Sequence, residues 1–208
     1  MRKLYGRKTS INVQKASWIL AELNLEFEWV FKEDKPGGLE TTEYAALNPQ
    51  LRVPTLDDNG TIVRQSNTIV RYLANKYSHG NLWPSDPGEA AAADYWMDWQ
   101  ASDNWRNVVA VFWNLFRVPP EERNDEEVAK GVIALGKDFE FLNGHLADQE
   151  YVAGNSLTMG DIPVGAAVHR FYALPIERPQ LPHVEAYYAR LQERPASHLD
   201  NQPGVPLR

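Results

Sequence analysis

The sequence predicts an α/β domain of order β-α-β-α-β-β-α followed by a second domain that is all helix. Three observations carry this expectation. Within the first eighty residues, short alternating apolar segments trade places with stretches whose apolar residues recur at three and four. A Gly- and Pro-bearing segment, "SHGNLWPSDPGE", then interrupts the pattern. Beyond it, strand-like alternation gives way to long helical stretches. The expected boundaries are an α/β domain over residues 1–79, a linker over 80–88 and a helical domain over 89–208.

The elements follow in order. "KLYG" reads as a short strand, and "NVQKASWILAEL" places Val13, Ala16, Ile19, Leu20 and Leu23 on one helical stripe closed by the turn residue Asn24. "FEWVFK" alternates as a strand and "ETTEYAAL" is a short helix. "PTLDD" and "TIVRQ" are strands joined through Asp58-Asn59-Gly60, whose Asn-Gly pair signals a tight hairpin. In "IVRQSNTIVRYLANKY", Ile69, Val70, Tyr72, Leu73 and Tyr77 share a helix face, so the polar triplet Gln65-Ser66-Asn67 is a strand-to-helix turn. In the second domain residues 89–117 read as one long helix. "NDEEVAKGVIALGKDFEFLNGHLA", "TMGDIPVGAAVHRFYAL" and "LPHVEAYYARLQER" follow, the last stopped by Pro195. Thr158 and Asp161 have capping-box spacing with Asp in place of Glu, a folding device rather than a site. Trp83 in the linker and Trp96, Trp99, Trp105 and Trp113 in the first long helix, with Phe112 and Phe116, make that helix heavily aromatic. Such a stripe is core by default, or at one end the lining of an apolar ligand pocket.

Composition narrows the function. Of 208 residues, 43% are apolar and 24% charged, as in an ordinary globular protein. No apolar run approaches the eighteen residues of a membrane span, and "MRKLYGRKTS" lacks the apolar stretch of an export signal, so the expected location is the cytoplasm, with no membrane partner. A net charge of −7 argues against a nucleic-acid surface. With no cysteine, any sulfur chemistry must come from a ligand. P-loop, dinucleotide-fold, Gly-x-Ser-x-Gly and His-Glu-x-x-His motifs are absent, and His79, His145, His169, His183 and His198 never fall at i, i+3 or i, i+4, so no metal is expected.

The triplet at 65–67 is the informative polar cluster. Ser66 or Asn67 can cap the helix, because their side-chain oxygens accept from backbone N–H groups that lack an intrahelical partner. The same N–H groups and the positive end of the helix dipole also make a carboxylate site, with Gln65 beside it to orient a ligand.

The element order, with "RVPTL" before the hairpin, "RQSNTIVRYLA" after it and "SLTMGDIP" late in the chain, resembles the cytosolic glutathione transferases, in a theta-like or related bacterial form with a serine or threonine in the first turn. The resemblance covers essentially the whole chain. It implies a thioredoxin-like N-terminal domain and glutathione as co-substrate. Gln65 and Ser66 match the pair that holds the γ-glutamyl end. Val53 and Pro54 match a cis-proline whose preceding residue pairs its backbone with the cysteinyl part. Ser10 matches the serine that donates to the glutathione sulfur, with Thr9 and Asn12 close enough to compete, while Tyr5 lies in the strand and is expected in the core. Where a polar residue would meet the glycyl carboxylate the chain has Leu39, so Lys35 or Arg52 is expected to substitute. Asp103 matches an acidic residue that reaches the γ-glutamyl amine from a neighbouring subunit, and as a lone helical Asp it is otherwise solvated surface. Trp105, Arg106, Trp113 and Tyr172 are the candidate lining of a pocket for a hydrophobic electrophile. The implied activity is a homodimeric glutathione transferase. The alternatives are glutathione-dependent peroxide or disulfide reduction, or a non-catalytic binding module on the same fold.

Overall fold

The computed structural model describes residues 1–30 and 38–198. It comprises two compact units, one from Met1 to Trp83 that also takes in the described residues from Pro195 on, the other from Pro84 to Arg194.

In the first unit, β1 (Arg2–Tyr5), α1 (Ile11–Glu22), β2 (Phe27–Val30), α2 (Thr42–Leu47), β3 (Thr55–Asp58), β4 (Thr61–Arg64) and α3 (Ser66–Ser78) follow in the expected order. The sheet order is β2-β1-β3-β4. β1 and β2 pair in parallel across α1, whereas β3 is antiparallel to both β1 and β4, with Leu4 opposite Leu56 and Leu56 opposite Val63. The β3–β4 link is the two-residue Asn59-Gly60 turn, with φ of 55° and 99°. A turn with both central residues at positive φ matches the twist of the paired strands, which is why Asn-Gly marks it.

α1 is more deeply covered than its apolar stripe predicts. Val13, Ala16, Ile19 and Leu20 are buried and Leu23 is half-buried, but Gln14, Lys15, Ser17 and Trp18 are buried as well. The reason is that α3 and the 3₁₀ turn at Pro195–His198 pack against α1 in addition to the sheet. Asn24, at φ 51°, ends the helix in the left-handed conformation. Tyr5 lies in β1 as expected but is half-buried, its ring 5.9 Å from that of Tyr44. Of the expected strand "FEWVFK", Phe31 and Lys32 lie outside the described residues.

One buried carboxylate ties the hairpin to both α3 and β1. Asp58 lies 2.7 Å from Arg2 Nε and 2.7 Å from Lys76 Nζ, and it accepts from the hydroxyls of Tyr72 at 2.8 Å and Tyr77 at 2.7 Å. Burial raises the pKa of such a group, but the bonds from Lys76, Tyr77 and Tyr72 outweigh it and hold Asp58 down to about 2.

The second unit contains α4 (Pro87–Trp99), α5 (Trp105–Phe116), α6 (Asp125–His145), α7 (Asp161–Ala173) and α8 (Pro182–Gln192). Where the sequence predicts one uninterrupted helix over 89–117, a π-helical turn at Gln100–Asn104 separates α4 from α5. It carries the buried amides of Gln100 and Asn104, and the Nδ2 groups of Asn104 and Asn107 donate to Asp138 on α6 at 3.3 and 2.8 Å. A π turn adds a residue to the ladder and rotates the faces that follow. Buried Asp161 accepts from the backbone N–H of Thr158 at 2.7 Å and of Val152 at 2.9 Å, and from Tyr187 at 3.0 Å, so the Thr158–Asp161 pair fixes the start of α7. Among the described residues no helix is long and apolar enough to cross a membrane.

Candidate active site

The site in the first unit is assembled from the turn between β1 and α1, the bend before β3 and the start of α3. Gly6 makes the first join. Its φ is 149°, and a Cβ there would lie 2.4 Å from Val13 Cγ2 and 3.2 Å from Val53 Cβ, so the chain leaving β1 passes against the bend at Val53 only because residue 6 is glycine. The turn that follows is braced from within: Ser10 N donates to Arg7 O at 3.2 Å, Gln14 N to Ser10 O at 2.9 Å, and the buried Gln14 Nε2 to Lys8 O at 3.0 Å. Ser10 is the N-cap of α1, and its hydroxyl makes no capping bond. Ser10 is half-buried, at the positive end of the helix. Thr9 and Asn12 flank it, both half-buried.

The Val53–Pro54 peptide is cis. The bend around it is clamped by α2 and the residue that ends it: Tyr44 OH and Asn48 Nδ2 donate to Arg52 O at 2.6 and 2.8 Å, and both reach Thr55 Oγ1 at 3.0 Å. Burial raises the Tyr44 phenol pKa, which keeps it a donor. The clamp holds residues 52 and 55, so the Val53 backbone between them is fixed just ahead of β3. Arg52 extends its side chain into solvent, whereas Leu39 is buried; Lys35 lies outside the described residues.

At the third element, Gln65 is the N-cap of α3 with φ 69° and ψ 127°, a conformation that strains a non-glycine residue. Its exposed amide donates to Gln50 Oε1 at 3.1 Å. Ser66 and Asn67 occupy the first turn, each 9% exposed. Ser66 Oγ donates to Asn12 Oδ1 at 3.2 Å, and Lys15 Nζ donates to Asn67 Oδ1 at 3.3 Å. Two polar bridges therefore join the starts of α1 and α3, and desolvation by burial brings Lys15 down to about 7. Gln14 and Lys15 escaped the sequence reading, because polar positions on a helix are read as outward, whereas Asn67 was read as a possible cap of α3. The available signal was the spacing of Asn12 and Lys15, three apart on one face.

The remaining candidates lie in the second unit. Asp103 is exposed on the π-helical turn and accepts from Ser102 Oγ at 3.2 Å. On α5, Trp105 is half-buried, Arg106 exposed and Trp113 56% exposed, whereas Trp96 and Trp99 on α4 are buried. Phe112 and Phe116 stack at 5.4 Å, with Arg170 of α7 5.0 Å over Phe112. Tyr172 faces α8, its ring stacked on Tyr188 at 5.3 Å, and its buried hydroxyl has no hydrogen-bond partner among the described residues. Burial pushes that phenol up to about 12. The structure thus groups Trp105, Arg106 and Trp113 along one helix and places Tyr172 against another. Among the described residues no group of three or more His, Asp or Glu could hold a metal ion.

Comparisons with known proteins agree in direction. Residues 4–82 match the family described as Glutathione S-transferase, N-terminal domain, and residues 107–195 match Glutathione S-transferase, C-terminal domain. The chain is similar to the glutathione S-transferase GstB of Escherichia coli strain K12, 31% identical over 198 residues that cover 94% of this chain and 95% of that one. It is likewise similar to glutathione S-transferase 3 of Zea mays, 30% identical over 208 residues covering 93% and 90% of the two chains. Among solved structures, the theta class glutathione S-transferase of Xanthomonas axonopodis pv. citri with glutathione bound superposes with a TM-score of 0.93, at 38% identity and over 100% of this chain and 99% of that one.

Proposed function

The chain belongs to the glutathione S-transferase family and is a glutathione transferase, and on that premise we propose how its residues divide the work. The observation that carries the proposal is the 3.2 Å bond between Ser66 and Asn12, which brings the positive ends of α1 and α3 together. Ser66 and Gln65 receive the γ-glutamyl end, and Val53 offers its backbone to the cysteinyl part. Arg52 or Lys35 meets the glycyl carboxylate. Ser10 donates to the sulfur, with Thr9 and Asn12 beside it.

A thiol of pKa about 8.5 is only a few per cent ionised at neutral pH, and lowering it by about two units takes about 2.7 kcal/mol of preference for the thiolate. A hydrogen bond to a charged group contributes about 1.5–3 kcal/mol and a helix N-terminus about 0.3–1. Ser10 at the start of α1 supplies both. The thiolate then forms a carbon–sulfur bond to an electrophilic carbon, and the leaving group departs with the electron pair. The half-buried and exposed aromatic groups of α5 suit a hydrophobic acceptor, with Trp105, Arg106, Trp113 and Tyr172 as its lining. The division into a glutathione-binding domain over 1–79, a linker over 80–88 and a helical domain over 89–208 is part of the same proposal, as are a cytoplasmic location, a homodimer and the reach of Asp103 to the partner's ligand.

Calorimetric titration with glutathione, paired with ultraviolet titration of the bound thiol, tests the site. Saturable binding with a thiol pKa well below 8.5 is expected. Absence of binding refutes it.

A further inference from the structure

The turn that carries Ser10 is braced from outside as well as from within. β1 ends at Tyr5, and the next residue, buried Gly6, keeps both of its backbone groups on β2: its N–H donates to Val30 O at 3.0 Å, and its carbonyl accepts from the indole Nε1 of half-buried Trp29 at 2.8 Å. The same indole lies under Lys8, whose Nζ is 4.9 Å from the ring centroid. Trp29 therefore holds the turn at its entry and again two residues on. From the α1 side, Gln14 Nε2 donates to Lys8 O and Ser10 N closes on Arg7 O. Residues 6–10 thus run between two sets of contacts, and Ser10 follows at once. A hydrogen bond weakens steeply when its donor is misdirected, so a hydroxyl on a short turn can favour a thiolate only where the course of the turn is fixed. An indole kept only to cover an edge strand needs no bond to this carbonyl, since a phenyl ring would cover the strand as well.

We propose that Trp29 is a positioning residue for thiol activation, acting through Ser10: its indole N–H ties the Gly6 carbonyl to β2, its ring seats Lys8, and the two contacts together set where the Ser10 hydroxyl meets the glutathione sulfur. The inference rests on the glutathione site proposed above and assigns Trp29 no contact with the ligand.

Trp29→Phe keeps a ring beneath Lys8 and removes the N–H. Ultraviolet titration of bound glutathione gives the thiol pKa in wild type, Trp29→Phe, Ser10→Ala and the double variant, and calorimetry with S-methylglutathione, which has no thiol to ionise, reads the rest of the site. Trp29→Phe should raise the bound thiol pKa by about 0.5–1, a part of the shift of about 1–2 that a full bond to a thiolate supplies. Below that pKa the thiolate fraction, and with it kcat/KM, falls about three- to tenfold, and the loss returns to within about twofold near pH 9. Affinity for S-methylglutathione should match wild type within about twofold. In the Ser10→Ala background Trp29→Phe should add no further shift, because two residues that act through one hydroxyl are not additive. An unchanged thiol pKa in Trp29→Phe overturns the proposal. So does a matching loss of S-methylglutathione affinity, which marks a general structural role, or a shift that adds in full to that of Ser10→Ala, which shows that Trp29 does not act through Ser10. If Trp29→Phe folds poorly, Trp29→Tyr also lacks the indole N–H and gives the same comparison. Wild type that binds neither glutathione nor S-methylglutathione refutes the site reading itself, an outcome distinct from any of these.

Discussion

Replacing Asp58 by Asn tests whether one buried carboxylate holds the hairpin that runs from Pro54 to Gln65, and with it two of the three elements of the site. Asp58 has Arg2 Nε and Lys76 Nζ each at 2.7 Å and two tyrosine hydroxyls within 2.8 Å. Its pKa, held to about 2 against an ordinary 3.8, corresponds to about 2.5 kcal/mol of native-state preference for the carboxylate. The sign follows from the depression: the contribution is complete above about pH 5 and is lost as pH falls through 4 towards 2. Asn keeps the shape and removes the charge, leaving Arg2 and Lys76 facing a neutral amide. Removing one partner of a buried pair costs about 3–5 kcal/mol. Lys76, with 44% of its side chain exposed, recovers hydration, so the low end, about 3 kcal/mol, is expected. For a chain of this size that is a fall in melting midpoint of about 6–12 °C. Urea unfolding of wild type and Asp58→Asn at pH 7.5 and at pH 3 is the assay, and the gap should narrow at the lower pH. Equal midpoints at pH 7.5, or a gap that does not narrow on acidification, refute the reasoning.

Ser10→Ala should raise the pKa of the bound thiol while altering total glutathione affinity only modestly, so turnover falls near neutral pH and recovers in part as pH rises; a pH–rate profile that matches wild type, while Thr9→Ala or Asn12→Ala shifts, moves the role to a neighbour. Ser66→Ala should weaken glutathione binding by about 0.5–1.5 kcal/mol and Asn12→Ala should make that loss larger, as calorimetry on the two singles and the double will read. Tyr95 and Phe141 leave 52% and 50% of their surface exposed beside the buried rings of Trp96 and Trp99, and light scattering should give twice the 23.7 kDa chain mass, falling to one chain mass in a Tyr95→Lys, Phe141→Lys double variant. A monomeric wild type at micromolar concentration removes both the homodimer and the role of Asp103.

The order of elements was legible because strand and helix periods differ and because Asn59-Gly60 specifies its own turn. The cis peptide was legible only through resemblance: an X-Pro bond in a folded protein is cis about 5–6% of the time, and nothing local to Val53-Pro54 distinguishes it. Burial of Gln14 and Lys15 was hidden for a different reason. Periodicity sorts residues by polarity, whereas α1 is covered on its polar flank by α3 and the turn at Pro195–His198, a long-range contact with no local signature. The π-helical turn at Gln100–Asn104 was equally invisible, since one added residue barely changes the apolar spacing over 89–117. The Thr158–Asp161 pair could be read because its partners are three residues apart. What sequence misses here is the set of bonds between distant segments, and the candidate site is made of those.

The Ser66–Asn12 bond also sets the sign of the coupling between the two residues. A serine hydroxyl has one proton, and in this structure it is directed at Asn12 Oδ1. To donate to a carboxylate it must rotate, which leaves Asn12 Oδ1 without that donor. The γ-glutamyl end carries an ammonium beside its carboxylate, so one ligand can both accept the Ser66 proton and satisfy the oxygen that loses it. On the proposed site, glutathione binding would exchange one neutral bond for two charge-assisted ones, and such bonds are roughly twice as strong as neutral ones. In Asn12→Ala the Ser66 hydroxyl enters binding without a bond to break, so its net contribution there rises. Ser66→Ala should therefore cost more in the Asn12→Ala background than in wild type. Simple additivity would mean that the hydroxyl never leaves Asn12, and that the ligand is held at the α3 terminus by backbone N–H groups alone.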